Sequence, residues 1–149
     1  MTTKKNHDVI QSLSKLLSGT YILLVKTQNY HWNVTGPQFS ELHAMFETQY
    51  NELFAAVDEI AERLRALGEK APGSFASFSE LSSIKEDSSH PAAETMIKNL
   101  ARDHETLAAD ADAVIKASDE IGDEGSADLA TNRIRAHQKT QWMLDAHLR

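Results

Sequence analysis

Apolar residues recur along most of the chain at the three- and four-residue spacing that is typical of amphipathic helices. Gly36 and Pro37 interrupt this pattern early in the chain, and Gly122 and Gly125 interrupt it again near the end. Between these breaks, the pattern predicts four helical segments, at about residues 8–33, 38–67, 91–121 and 126–148. The chain is therefore predicted to be all-α.

The connection between the second and third segments is long, at about 23 residues, and it is rich in Ser, Pro and Gly. Its large apolar residues predict that it packs against the helices and forms a short helix at about residues 79–83. The second helix is about 45 Å long, so this connection lets the chain return along it and start a parallel third helix, with Pro91 in the first turn. Two short turns and one long connection predict a ferritin-like four-helix bundle.

The composition narrows the functional classes. The 149 residues fit one compact domain at 8–149, preceded by an N-terminal tail at 1–7. Because the chain has no Cys, disulfide scaffolds, thiolate metal sites and cysteine nucleophiles are excluded. Its net charge of -7 does not favour binding of nucleic acid by the folded body. No apolar run is long enough for a membrane helix or a signal peptide, so we expect a cytoplasmic protein with no membrane partner.

Candidate metal ligands lie along one stripe of the second helix. His43, Glu47, Asp58 and Glu62 share this stripe at 100° per residue, but His43 and Asp58 are about 22 Å apart along the axis. One copy of the helix therefore cannot close a metal site. Two antiparallel copies, related by a twofold axis near the helix midpoint, would bring His43 and Glu47 of one to Asp58 and Glu62 of the other. His31 is expected at the same end of the bundle as His43.

Simpler interpretations exist for most of these residues. The acids could form a solvated helix face, and His31 could be a buried core histidine. Tyr50 and Phe54 argue against the solvated face, because large aromatic side chains between the two ligand pairs suit the centre of a dimer contact. The chain has no Glu-x-x-His pair, which disfavours a metal site inside a single bundle.

Two further groups of polar residues have their own alternatives. His104 and His137 lie on apolar stripes without paired carboxylates, so we expect ordinary buried hydrogen bonds from them. Asp119, Asp123 and Asp128 flank the turn before the last helix. The residues alone favour turn and cap roles for them.

Several sequence runs resemble the Dps family, the miniferritins named as DNA-binding proteins from starved cells. These runs are QNYHWNV at 28–34, GPQF at 36–39, DEIAER at 58–63 and HQKTQWML at 137–144, with His43 between the second and third. The resemblance covers nearly the whole chain. It implies a homo-oligomeric, dodecameric hollow shell that oxidises iron(II), preferably with hydrogen peroxide but also with oxygen, and stores it as ferric mineral.

The resemblance also assigns ligands for iron. By position, His31 and His43 match the histidine ligands of the family, and Asp58 and Glu62 match the carboxylates that the partner chain supplies. Glu47 stands where the family usually has Asp. Because Glu is longer by one methylene group, a second metal position here is expected to be displaced or weaker. The resemblance also implies an acidic pore for iron(II) entry near the turn before the last helix, so a funnel that attracts cations is the alternative role of Asp119, Asp123 and Asp128.

Two other functions compete with iron oxidation. Many Dps proteins compact DNA in the nucleoid, and the only candidate segment here is the tail at 1–7, which carries Lys4 and Lys5. A shell of twelve chains would carry roughly -80 charges, so DNA binding through this tail is expected to be weak and sensitive to salt. The third alternative is a helical oligomerisation module without metal chemistry.

Overall fold

The computed structural model describes residues 6–149, and within them it contains five α-helices and no strand. The helices are α1 (His7–Asn33), α2 (Phe39–Ala66), α3 (Phe75–Leu81), α4 (Ala93–Ile121) and α5 (Glu124–Ala146). None of them is long and apolar enough to cross a membrane. The all-α fold class and the short helix in the middle of the chain are confirmed.

The four long helices form the bundle. α1 packs against α2 and α4, α5 packs against α4 and α2, and α3 lies on α1. α2 and α5 run antiparallel, because Arg63 near the end of α2 pairs with Asp123 before α5, while Glu52 in the middle of α2 pairs with Arg133 further along α5. Fully buried residues from all four helices fill the core, including Leu13, Leu23, Phe46, Leu53, Ile60, Leu100, Leu107, Val114 and Leu144.

The short helix lies four residues earlier than the predicted 79–83. The Ser74 side chain caps its first turn by accepting a hydrogen bond from the backbone N–H of Ser77. The ring of the buried Phe78 then stacks on Tyr21 of α1, with ring centroids 4.6 Å apart. Ser82 ends the helix in an extended conformation. The prediction used apolar spacing alone and missed the cap that sets the starting point.

Buried polar contacts hold the rest of the connection to the bundle. Lys26 of α1 pairs with Asp103 of α4 at 2.7 Å and also donates to the carbonyl of Lys85. Tyr30 donates to the Asp87 carboxylate at 2.5 Å. Burial raises the pKa of Asp103, although the Lys26 ammonium lowers it in part. These contacts fix residues 85–87 against the bundle beside the end of α1.

The ends of the long helices agree with the prediction within a few residues, but the start of α4 differs. Pro91 lies outside α4, because Ala92 is extended with a ψ of 154° and the helix begins at Ala93. Gly122 ends α4 with a φ of 72°, the left-handed conformation that glycine adopts without strain. Lys4 and Lys5 lie outside the described residues.

Candidate metal centre

Two histidines meet where α1 ends and α2 begins. Val34 leaves α1 in an extended conformation, and Gly36 has a φ of 113°, so five residues suffice to reverse the chain. The imidazole rings of His31 and His43 stack with their centroids 3.8 Å apart and 12° between their planes. His31 is buried and His43 is half-buried. The predicted proximity of these two residues is confirmed.

Reciprocal hydrogen bonds orient both rings. Nδ1 of His31 lies 2.6 Å from the carbonyl oxygen of His43, and Nδ1 of His43 lies 2.7 Å from the carbonyl oxygen of His31. Because a carbonyl can only accept, each Nδ1 must carry the proton. In the neutral imidazole, each Nε2 then keeps a free lone pair. Histidines that bind metals are commonly oriented by such a bond from their other nitrogen.

A carboxylate and two aromatic rings surround the histidine pair. Oε1 of Glu47, one turn after His43 on α2, lies 3.9 Å from Nε2 of His31. The Tyr50 ring meets His31 edge-on at 5.2 Å, and the Phe39 ring stacks on His43 at 5.1 Å. These rings restrict the imidazoles, while the Glu47 side chain remains exposed. The arrangement places two stacked imidazoles at this end of the bundle, with one carboxylate oxygen 3.9 Å from Nε2 of His31.

Asp58 and Glu62 lie exposed much further along α2, about 22 Å and about 28 Å from His43 at 1.5 Å per residue. Within residues 6–149 of one chain, no three or more of the side chains that commonly bind metals are grouped closely enough to hold an ion. The structure therefore brings together His31, His43 and Glu47, and it separates them from Asp58 and Glu62.

An apolar groove lies beside Asp58, between α2 and the start of α3. Leu17, Tyr21 and Phe78 contribute to its lining, together with Phe54 and Phe75. The Phe54 side chain is 63 % exposed and that of Phe75 is 69 % exposed, which is high for aromatic side chains. Tyr50 differs from Phe54, because it is half-buried and its ring packs against His31.

His104 and His137 lie in the bundle core and make the hydrogen bonds that were expected. Their Nδ1 atoms are 2.8 Å apart, and both side chains are almost completely buried. Burial and the nearby charge of Arg133 lower the pKa of His104 to about 3, and the same causes hold the pKa of His137 well below its usual range. Arg133 was not predicted from the sequence, although its position four residues before His137 places it on the same face of α5.

The structure shows the role of one of the three acids near the turn before α5. Asp123 is the N-cap of α5, since its carboxylate accepts from the backbone N–H of Ser126, and it also pairs with Arg63 at 2.8 Å. These hydrogen bonds and the Arg63 charge hold the Asp123 pKa below its usual value despite the opposing effect of burial. Asp119 and Asp128 are exposed. Of the two interpretations of Asp123, the structure supports the cap.

Known proteins resemble this chain over almost its full length. The ferritin-like domain family model matches residues 10–149. An uncharacterized low temperature-induced protein of Nostoc sp. is 41% identical and aligns with 97% of this chain and 82% of its own. DNA protection during starvation protein 2 of Bacillus anthracis is 35% identical, with 96% of this chain and 98% of that protein covered.

A solved structure agrees with both matches. The Dps protein of Vibrio cholerae O1, described as a member of a broad superfamily of ferritin-like diiron-carboxylate proteins, is 31% identical and superposes with a TM-score of 0.95. The alignment covers 100% of this chain and 94% of that one. Together with the bundle topology, these similarities establish that the chain belongs to the Dps family of ferritin-like miniferritins.

Proposed function

We propose that this protein is a ferroxidase and an iron-storage protein, which oxidises iron(II) at sites shared between two copies of the chain. The observation that carries this proposal is the pair His31 and His43, whose rings are oriented by reciprocal hydrogen bonds, with Glu47 3.9 Å from Nε2 of His31. Imidazole and carboxylate ligands suit iron(II), and carboxylates bind the ferric product more strongly. The Dps protein from Vibrio cholerae O1, which has the same fold, is described as a member of a broad superfamily of ferritin-like diiron-carboxylate proteins.

A twofold axis near the middle of α2 completes each site. When two copies of α2 pack antiparallel, His43 of each copy meets Asp58 of the other. The pair of chains then has two equivalent sites about 22 Å apart. Asp58 and Glu62 of each copy then reach the histidines of the other. The exposed Phe54 lies between the two ligand groups, and the apolar groove beside it supplies surface for the contact.

The electrons of the reaction balance when two iron(II) ions are oxidised in each turnover. Hydrogen peroxide accepts one electron from each of two iron(II) ions and, with two protons, becomes two water molecules. Oxygen is the alternative oxidant. Because both electrons are transferred together, no hydroxyl radical needs to be released. The ferric product is stored inside a closed shell of twelve chains, which protects the cell from iron and peroxide together.

Exchange of subunits between two inactive variants tests whether each site is shared. One variant carries His31→Ala with His43→Ala, and the other carries Asp58→Ala with Glu62→Ala. Each pure assembly lacks half of the ligands at every site and should be inactive. After the two are unfolded and refolded together, about half of the dimers are mixed, and one of the two sites in each mixed dimer is intact. About a quarter of the wild-type ferroxidase activity should return.

A site contained within one chain would give no recovery, and this result would refute the proposal. The matched controls are His90→Ala and Glu59→Ala, which change an exposed histidine and an exposed carboxylate outside the ligand set. Both should keep wild-type oxidation rates. Sedimentation of each variant before mixing ensures that a loss of activity is not a loss of assembly.

DNA binding is the second candidate function, because the relative from Bacillus anthracis is named for DNA protection. Lys4 and Lys5 of the candidate segment lie outside the described residues. A gel shift at low salt, with the full chain and with a chain that lacks residues 1–5, tests it. A shift that disappears on truncation and weakens steeply with salt would support binding through the tail.

A further inference from the structure

A cluster of polar side chains lies in the middle of the bundle, away from the candidate metal centre. We call it the core cluster, and it consists of Gln49 and Glu52 of α2, His104 of α4, and Arg133 and His137 of α5. The guanidinium of Arg133 pairs with the Glu52 carboxylate through both terminal nitrogens, with Nη2 at 3.0 Å from Oε1. The same Nη2 lies 3.3 Å from Nε2 of His137.

Only one assignment of donors and acceptors is consistent with the hydrogen bonds of the core cluster. An arginine guanidinium can only donate, so Nε2 of His137 accepts and its proton lies on Nδ1. That proton is donated to Nδ1 of His104, 2.8 Å away. His104 therefore carries its own proton on Nε2. The charge of Arg133 thus fixes the tautomers of two neutral histidines in sequence.

The far end of this chain of hydrogen bonds has no partner among residues 6–149. Nε2 of His104, both amide atoms of Gln49 and Nε of Arg133 are buried and make no hydrogen bond to any residue in 6–149. Gln49 and His104 are each more than nine-tenths buried. Buried polar groups are nearly always hydrogen-bonded, either to protein or to ordered water.

The helix register places Gln49 at the same level as the histidines. Gln49 lies one turn before Glu52 on α2, and His137 lies one turn after Arg133 on α5. Because the two helices are antiparallel and Glu52 pairs with Arg133, Gln49 faces the turn of α5 that carries His137. The unpartnered amide and the unpartnered His104 N–H therefore belong to the same layer of the core.

We propose that the core cluster encloses an internal binding site for water, in which a bound water accepts from Nε2–H of His104 and hydrogen-bonds the Gln49 amide. Buried waters typically make about three hydrogen bonds to polar groups of this kind. A metal ion does not suit the site, because the two imidazole lone pairs are already used as acceptors and Arg133 is positively charged. The proposal does not depend on the proposed iron oxidation.

Two measurements on the intact assembly test this proposal directly. Solid-state NMR of protein with ¹⁵N-labelled histidine should find His137 protonated on Nδ1 and His104 protonated on Nε2 at neutral pH, with assignments from His104→Asn and His137→Gln variants. A crystal structure at high resolution should contain a water within hydrogen-bond distance of His104 Nε2 and the Gln49 amide. The opposite tautomers, an imidazolium, or a direct Gln49–His104 hydrogen bond with no water would overturn the proposal.

Unfolding of a Gln49→Met variant gives a third test. Methionine has a similar size but no amide, so it removes a partner of the bound water and leaves the His104 N–H less well satisfied. Leu53→Met, at a fully buried position one turn further along α2, is the control for placing methionine in this core. The midpoint of denaturant unfolding should fall further for Gln49→Met than for Leu53→Met. An equal or smaller fall would mean that the Gln49 amide is unpaired in a dry core, and would overturn the proposal.

Discussion

Acid should destabilise this protein partly through His104. Its pKa is about 3 in the folded chain, because burial and the charge of Arg133 oppose protonation, whereas an unfolded histidine has a pKa of about 6.5. Between these two values, the unfolded chain binds a proton that the folded chain does not. The free energy of unfolding therefore decreases as pH falls below about 6.5, and this contribution is exhausted near pH 3.

The size of the effect follows from the separation of the two pKa values. At pH 4.5, which is about two units below the unfolded value, the loss from His104 is about 3 kcal/mol at roughly 1.4 kcal/mol per unit. His137 adds to the loss, because burial, Arg133 and His104 also lower its pKa. A loss of this size is a large part of the stability of an ordinary domain.

The variant His104→Asn isolates this contribution. The Asn oxygen can accept the Nδ1–H of His137 as the imidazole did, but it does not titrate. We expect the loss of unfolding free energy between pH 7.5 and pH 4.5 to be about 3 kcal/mol smaller in the variant than in the wild type. Guanidinium unfolding followed by circular dichroism at both pH values measures the difference.

The control for this experiment is His90→Asn, which replaces an exposed histidine in the connection. It should lose as much stability as the wild type over the same pH interval. Carboxylates and the histidines other than His137 contribute to all three proteins alike, so they cancel in the comparison. His137 keeps the two larger causes of its lowered pKa, burial and the Arg133 charge, in the variant. If His104→Asn and the wild type lose the same free energy, His104 is not a neutral buried histidine in the folded chain, and the reasoning from burial and Arg133 is refuted.

Three further substitutions test the site and the fold. Asp58→Asn keeps the size of the side chain but removes the charge that favours the ferric product, so iron(II) oxidation by peroxide should slow at least tenfold while sedimentation remains that of the assembly. Gly19→Ala places a Cβ 2.6 Å from Cδ2 of Leu107, and this overpacking, at about 1–3 kcal/mol, should outweigh the gain in helix propensity and lower the Tm. Asp123→Ala removes the cap of α5 and the partner of Arg63, and should cost about 1–2 kcal/mol in denaturant unfolding.

Each of these variants has a matched control. Glu59→Gln changes an exposed neighbouring carboxylate and should leave oxidation unchanged. Gly73→Ala adds a Cβ that meets nothing within 4 Å, so its Tm should not fall. Asp119→Ala removes an exposed acid from the same turn and should have little effect on unfolding. A control that behaves like its test variant would contradict the mechanism given for that substitution.

The long helices could be predicted from sequence because each one buries a continuous apolar stripe. Their exact ends depend on local contacts that apolar spacing does not encode. α3 starts at Phe75 because Ser74 caps it and Phe78 stacks on Tyr21, and neither interaction changes the apolar period. Pro91 similarly falls outside α4 because the chain is still extended at Ala92 as it leaves the connection.

The two parts of the candidate site, the histidine pair and the distant carboxylates, could be predicted from the sequence to different extents. The nearness of His31 and His43 follows from a short turn between two helices, and the structure confirms it. Their reciprocal hydrogen bonds were not predictable, because they depend on how two carbonyl groups at the helix ends are oriented. The joining of these histidines to Asp58 remains a prediction, since it depends on a second copy of the chain.

The reciprocal hydrogen bonds between His31 and His43 bear on the iron concentration at which the proposed site would fill. A ligand that is free to rotate must be immobilised when metal binds, at roughly 0.5–1.5 kcal/mol for each side chain. Here the two imidazoles are held by each other's backbone before any iron arrives. For the two imidazoles together this is roughly 1–3 kcal/mol, and since about 1.4 kcal/mol corresponds to a factor of ten in Kd, the preorganisation lowers the iron(II) concentration needed for half-occupancy by roughly 5- to 140-fold.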